Sequence, residues 1–293
     1  MPEGQIRKAL SGFYYVNDEG ATVRSRGRGV FRKRKITPLV GDWVTYVQEG
    51  GEDATITEIH PRKNELVRPP VSNVDIALLA VSIVEPAFSP GLLDRFLVLV
   101  ESHGIEPIIC LTKKDKAAAA ELETAEQWAG YYRSIGYPVL MTSIGDPEIL
   151  DLLNPYLKGK TAVLAGQSGV GKSTLLNTLL PELLLETGVI SESLGRGKHT
   201  TRHVELHEVA GGLVADTPGF SSLEFDTMEK EELGSCFPEI AAASEQCKFR
   251  GCLHLKEPSC EVKRQVGSGQ ILQSRYDNYL QFLQEIMDRK PRY

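Results

Sequence analysis

Gly166-Gln167-Ser168-Gly169-Val170-Gly171-Lys172-Ser173 reads as a complete phosphate-binding loop, G-x-x-x-x-G-K-S. Its surroundings agree: Thr161 to Ala165 reads as a buried strand, and Thr174 to Leu180 reads as a helix that ends before Pro181. Gly166, Gly169 and Gly171 let the backbone turn tightly and aim its N–H groups, with those of Gln167, Ser168, Val170 and Thr174, at phosphate oxygens. Lys172 is placed to reach the β- and γ-phosphates, and the Ser173 hydroxyl to ligate Mg²⁺. Asp216-Thr217-Pro218-Gly219, after the apolar run Leu213 to Ala215, supplies a second phosphate-side element. Asp216 is expected to hold Mg²⁺ and Gly219 to approach the γ-phosphate. Between the two motifs, Gly195 to Arg202 is glycine-rich and basic, as a switch loop requires, and Thr201, or its neighbour Thr200, is placed to complete the Mg²⁺ shell.

A base-reading segment is needed next, and it lies on the unexpected side. Thr112-Lys113-Lys114-Asp115 follows the strand-like run Pro107 to Leu111 and matches the GTPase motif N-K-x-D, with Thr in place of Asn. Asp115 would accept from the guanine N1–H and amino group, and Lys113 would pack along the base. Thr142 and Ser143, after the strand-like Tyr137 to Leu140, fall where the last guanine-side loop belongs. In ordinary GTPases the base motif comes after the phosphate loop, so the order here implies a rearranged domain. Without the phosphate loop, Lys113 to Lys116 would read as a solvated charged turn before the alanine-rich helix around Ala117 to Ala120.

The flanks differ in character from this centre. Leu10 to Val16, Ala21 to Arg24, Asp42 to Val47 and Ala54 to Ile59 read as short strands between turns, which predicts a small β-barrel. Arg24, Arg26, Arg28, Arg32, Lys33, Arg34 and Lys35 crowd one short span with Gly27, Gly29 and Phe31; RNA contact and a solvated charged loop are the two readings. Residues 61 to 73, with three prolines, read as a linker. Beyond it, Val74 to Val81 and Leu92 to Val100 begin an alternation of apolar strands and amphipathic helices that specifies a parallel α/β sheet.

Near the end, Cys247, Cys252, His254 and Cys260 have the spacing C-x4-C-x-H-x5-C. Three thiolates and one imidazole suit a closed, structural Zn²⁺ site, with chance spacing or redox-active thiols as alternatives. Cys110 and Cys236 read as packing residues, and an odd total of 5 cysteines argues against a disulfide framework. Gln270 to Asp288 has helical spacing.

The chain of 293 residues is long enough for two or three domains, and its net charge of −6 gives no global nucleic-acid footprint. It contains no apolar run long enough to span a membrane and no leader pattern, so a cytoplasmic location is expected.

Barrel, permuted nucleotide motifs and Cys/His cluster together resemble the circularly permuted, small-subunit-dependent GTPases of the RsgA (YloQ/YjeQ) family. The resemblance implies an α/β protein with an OB-like barrel at 1–68, a permuted GTPase domain with a mostly parallel sheet at 69–221 and a mainly helical zinc-binding domain at 222–293. It also implies GTP hydrolysis stimulated by the small ribosomal subunit late in that subunit's maturation. Implied partners are GTP or GDP, the subunit and its rRNA, and other assembly factors, for a monomer with no membrane association. Phe220 stands where a Ras-like GTPase has its water-positioning Gln, so intrinsic hydrolysis should be slow. His199 is the internal residue best placed to orient water, a role the resemblance supports. A P-loop ATPase or kinase, which would not need Asp115, and a nucleotide-stabilised RNA-binding scaffold remain the alternatives from the residues alone.

Overall fold

The computed structural model describes residues 1–48, 53–143, 145–146, 148–181, 204–217 and 223–289. Its N-terminal part is a closed barrel of β1 (Glu3–Leu10), β2 (Phe13–Asp18), β3 (Ala21–Gly27), β4 (Trp43–Val47) and β5 (Ala54–Ile59), in the order β1-β2-β3-β5-β4. The β3–β5 pair is parallel and the other pairs are antiparallel. The run Leu10 to Val16, expected as one strand, is broken by a turn. Ser11 and Gly12 both have positive φ, 51° and 82°, which suits a tight hairpin connection. The basic span also gains structure: Arg24 and Arg26 lie in β3, and Gly29–Lys33 form a short helix, α1, anchored by buried Phe31.

Residues 61 to 73 are a second departure from expectation. They form a hairpin of β6 (Glu65–Val67) and β7 (Pro70–Ser72), welded to the barrel. The cause is Asp42, which is fully buried and needs partners. Its carboxylate accepts from Arg62 Nε and Nη2 at 2.8 Å each, from Ser72 Oγ at 2.6 Å and from the Leu39 N–H at 2.8 Å. Gly41 fits beside it because a Cβ there would lie 2.1 Å from Ser72 O.

The central sheet contains β8 (Ile76–Ser82), β9 (Glu106–Thr112), β10 (Val139–Met141), β11 (Thr161–Ala165), β12 (Leu206–Val209) and β13 (Gly212–Ala215), in the order β10-β9-β8-β11-β13-β12. All neighbours run parallel except β12, which is antiparallel to β13 at the edge. The continuous apolar run of β8 follows from burial on both faces. Helices α2 (Pro90–Ser102), α3 (Ala119–Ser134), α4 (Glu148–Leu157) and α5 (Lys172–Leu179) make the crossovers. Helix α2 starts where Ser89 Oγ accepts from the Leu92 N–H at 3.4 Å and Pro90 takes the first turn.

The C-terminal part is helical, with Pro238–Ser244, Glu261–Gly267 and the terminal helix Gln273–Asp288. It is joined to α2 through a buried charge network. Arg275 donates to Asp94 Oδ1 at 2.6 Å and as a fork to Glu239 at 2.6 and 3.0 Å. Tyr132 and Asn278 complete Asp94 with donors at 2.6 Å each. Burial pushes the Asp94 carboxyl up, and Arg275 draws it back down. The Arg275 guanidinium also lies 4.5 Å from the Phe237 ring centre. Among the described residues no helix is long and apolar enough to cross a membrane.

Removing one member of a buried ion pair leaves the other uncompensated. Arg275→Ala is expected to cost about 3–5 kcal/mol in denaturant unfolding, and Arg275→Lys, lacking the fork, to recover only part of it.

Candidate functional site

The carboxyl ends of the parallel strands all open at one edge, and the nucleotide motifs sit there. Thr112 closes β9, Thr142 follows β10, Gly166 follows β11 and Asp216 follows β13. The phosphate loop runs from β11 into α5, whose first residue is Lys172, with Gly171 before it at φ 96°. Gly166 is demanded by space as well as by conformation. Its φ is 140°, and a Cβ would lie 2.2 Å from Ala80 O on β8. Gln167, Ser168 and Gly169 are exposed, whereas Val170 is buried and anchors the loop; Lys172, Ser173 and Thr174 are half-buried. Lys172 Nζ donates to Gln167 O at 2.6 Å, so its charge rests on the loop's own backbone. Burial lowers its pKa.

The two guanine-side loops are joined to this one. The Thr142 N–H donates to Leu111 O at 2.8 Å and the Lys114 N–H to Thr142 O at 3.2 Å, which holds Thr142 and Ser143 beside the Thr112–Asp115 turn. Thr112 is nearly buried, and its hydroxyl donates to Val170 O at 2.5 Å, with Val81 O at 3.3 Å. Its side chain therefore fixes the base-side turn onto the phosphate loop. Lys113 has a left-handed backbone, φ 61°, and its ammonium donates to Glu85 O; Lys114 and Asp115 follow on an exposed single turn.

Asp216 is held from the neighbouring strand. Its Oδ1 accepts from the Glu205 N–H at 3.0 Å and from Thr217 Oγ1 at 2.9 Å, while His207 Nε2 lies 3.9 Å from Oδ2. Burial raises its pKa, opposed by the Glu205 N–H. A half-buried carboxylate at the end of β13, the strand next to the one that feeds the phosphate loop, suits a cation, which would favour its charged form. Glu205 and His207 were not picked out as site residues in the sequence. The apolar–polar alternation of Val204-Glu205-Leu206-His207 signals a strand, which pairs with the strand before Asp216, but it does not mark either residue as part of a site. His199, Thr201 and Gly219, with Thr200 and Phe220, lie outside the described residues.

The Cys/His motif does come together. The ligand atoms of Cys247, Cys252, His254 and Cys260 all lie within 4.8 Å of one another. Cys247 Sγ is 3.9 Å from Cys260 Sγ and 3.7 Å from His254 Nδ1, which is 3.3 Å from Cys260 Sγ. A tetrahedron of thiolates with metal–sulfur bonds of about 2.3 Å has edges of about 3.8 Å, so the set fits a metal ion. Burial and the adjacent thiols push Cys252 up to about 12, a protonated state that a bound cation reverses. The loop is shaped by Glu257, which accepts from the N–H groups of Leu253, Leu255 and Lys256, and by the terminal helix. Tyr276 and Tyr279 donate to His254 O at 2.5 Å and Leu253 O at 2.9 Å.

On the barrel, Arg24 and Arg26 both pair with Asp53 and lie over the Phe13 ring at 5.1 and 4.3 Å. Arg28, Lys33, Arg34 and Lys35 are exposed; the Arg32 side chain is outside the described set. The span thus presents an aromatic–cation face as well as free charge.

Residues 3–56 match the RsgA N-terminal domain family and residues 59–226 the RsgA GTPase family. The chain is 59% identical over 293 residues to the small ribosomal subunit biogenesis GTPase RsgA of Bacillus cereus, with all of both chains covered. It is 59% identical over 298 residues to the protein of the same name in Bacillus subtilis, again with complete coverage. Among solved structures it is similar to YloQ, a circularly permuted GTPase, at 54% identity and a TM-score of 0.87, covering 100% of this chain and 97% of that one. YjeQ from Thermotoga maritima is similar at 35% identity and a TM-score of 0.86, with 99% of each chain covered.

If the four clustered residues hold a metal, native mass spectrometry is expected to show one ion per chain. Cys260→Ser or chelation should remove it and lower the melting temperature, with the C-terminal helices losing amide protection first.

Proposed function

The chain belongs to the RsgA GTPase family, and we propose that it hydrolyses GTP to GDP and phosphate when engaged by the small ribosomal subunit, late in that subunit's maturation. The observation that most supports a guanine nucleotide is the Thr112 hydroxyl on Val170 O, which makes the base-side turn and the phosphate loop one rigid unit. An ATPase or kinase has no use for Asp115 held in that register. The working division is an RNA-binding barrel at 1–68, a GTPase unit at 69–221 and a zinc-bearing unit at 222–293, acting as a cytoplasmic monomer.

In this reading Asp115 and Lys113 hold guanine, with Lys114, Thr142 and Ser143 closing its side. The N–H groups of residues 166–174, with Gly219, surround the phosphates. Lys172 leaves Gln167 O for the β- and γ-phosphates, exchanging a neutral acceptor for charged ones. Ser173, Thr201 and Asp216 would hold Mg²⁺, which supplies charge neutralisation on the β- and γ-oxygens. Phe220 cannot hydrogen-bond the attacking water, so in this reading His199 orients it when the subunit is engaged. Arg24 to Lys35 meet rRNA through phosphate contacts and stacking, without base-specific reading. Zn²⁺ at the Cys/His cluster is structural, since four protein ligands leave no open position.

GTP turnover measured with and without purified small subunits is the direct test; equal rates would reject subunit dependence. Asp115→Asn is expected to weaken GTP binding at least about ten-fold, the size of a lost charged hydrogen bond, and to leave ATP binding unchanged. His199→Ala is expected to lower subunit-stimulated turnover by about 10²–10³-fold with binding to the particle intact. Unchanged stimulation would remove His199 from the mechanism.

A further inference from the structure

The barrel touches the nucleotide side at a particular strand. Lys8 on β1 forms a β-bridge with Glu205, and Lys8 Nζ lies 2.5 Å from Glu205 Oε2. Both side chains are about two-thirds buried, at 35% and 32% exposure, so the pair is shielded from much of the solvent screening that weakens surface pairs. Two residues of β1 take part, since Arg7 also faces Glu208 at 3.7 Å, although Glu208 is largely exposed and adds little. Glu205 in turn is the residue whose backbone supports Asp216. Its N–H donates to Asp216 Oδ1 at 3.0 Å and its carbonyl accepts from the Asp216 N–H at 3.0 Å.

These contacts form one continuous path, Lys8 to Glu205 to Asp216. We propose that Lys8 and Glu205 are positioning residues for Asp216: the barrel's first strand clamps Glu205, and Glu205 aims the Asp216 carboxylate through its backbone. The inference rests on the reading of Asp216 as a Mg²⁺ ligand and adds the element that sets its aim. Neither residue belongs to the nucleotide-binding motifs. Their effect is on where a carboxylate oxygen stands, and a small displacement of a ligand oxygen is enough to weaken a cation that demands near-ideal geometry. The path also gives barrel and nucleotide site a shared mechanical part. Anything that shifts β1, such as RNA drawn onto the basic span of the same barrel, pulls on Glu205. By linkage, a nucleotide that fixes Asp216 favours one pose of the barrel.

The test uses the full chain carrying Lys8→Met, which keeps the stem and removes the charge, and the exchanged pair Lys8→Glu with Glu205→Lys. Amide exchange in nucleotide-free protein without added Mg²⁺ reads the clamp itself. Affinity for a fluorescent GDP analogue, with and without added Mg²⁺ and with no chelator, reads its consequence. Lys8→Met is expected to speed exchange at the Glu205 and Asp216 amides. It should reduce the Mg²⁺ enhancement of binding by about two- to five-fold, the size of a partly exposed ion pair, with affinity in the absence of Mg²⁺ unchanged. The exchanged pair should restore both. Unchanged exchange at the two amides would overturn the clamp. Faster exchange with an unaltered Mg²⁺ enhancement would overturn the positioning role. A wild-type chain with no Mg²⁺ enhancement at all would instead sink the reading of Asp216, and the positioning role with it.

Discussion

Parallel pairing is the constraint on which the molecule depends. Two parallel neighbours cannot be joined by a tight turn, so each connection must cross a face of the sheet and return to the starting edge. Every strand of β8, β9, β10, β11 and β13 therefore releases its loop on one side. Chemistry-bearing residues far apart in sequence are gathered without any contact having to draw them together. The same constraint explains how a permuted chain keeps a working site. Strand order and direction fix where loops emerge, and neither depends on which strand the chain visits first.

The parts share apolar cores, one running from Ile6 and Val44 through Leu66 and Val71 to Leu79 and another from Val98 and Leu99 of α2 to Phe237 and Phe282, and a few buried polar groups add specificity. Asp42 ties the hairpin at β6 and β7 to the barrel, and the Arg275 fork ties the terminal helix to α2. Buried charges of this kind add little net stability compared with apolar packing, but they punish any other arrangement severely. Apolar packing thus holds the parts together, and a few polar groups that must all be matched restrict their relative pose. Lys8 and Glu205 are a lighter version, partly solvated, at the junction closest to the nucleotide edge.

Much of this was legible in the sequence because its signals are local. The phosphate loop announces itself through fixed glycines at positions with φ of 140°, 80° and 96°, and the Cys/His cluster through ligand types that serve few other purposes side by side. What stayed hidden was set by distant partners. Residues 61 to 73 have the prolines of a linker, and it is distant partners, with Asp42 some 20 residues before Arg62 and 30 before Ser72 and the barrel core around Leu66 and Val71, that make them a fixed hairpin. Leu10 to Val16 looked continuous because Ser11 is an unremarkable residue until Gly12 follows it into the left-handed region. Thr112 stands at a base-reading motif position, and its hydroxyl donates to a carbonyl 58 residues on, a partner that no local pattern indicates. The role of Glu205 lies mostly in its backbone, which no residue type can advertise.

The distance between Asp94 and Arg275 has a consequence for the order in which the protein is made. The two lie 181 residues apart, and Arg275 emerges after every nucleotide-binding residue named above. A ribosome delivers the chain from its N-terminus, so the nucleotide-binding half is synthesised while the Asp94 face of α2 still lacks its cation. Until the last helix arrives, that carboxyl has the Tyr132 hydroxyl but neither Arg275 nor Asn278. A chain broken off before Arg275 would carry every nucleotide-binding residue named above and still lack the cation and the terminal helix that complete the cover over α2.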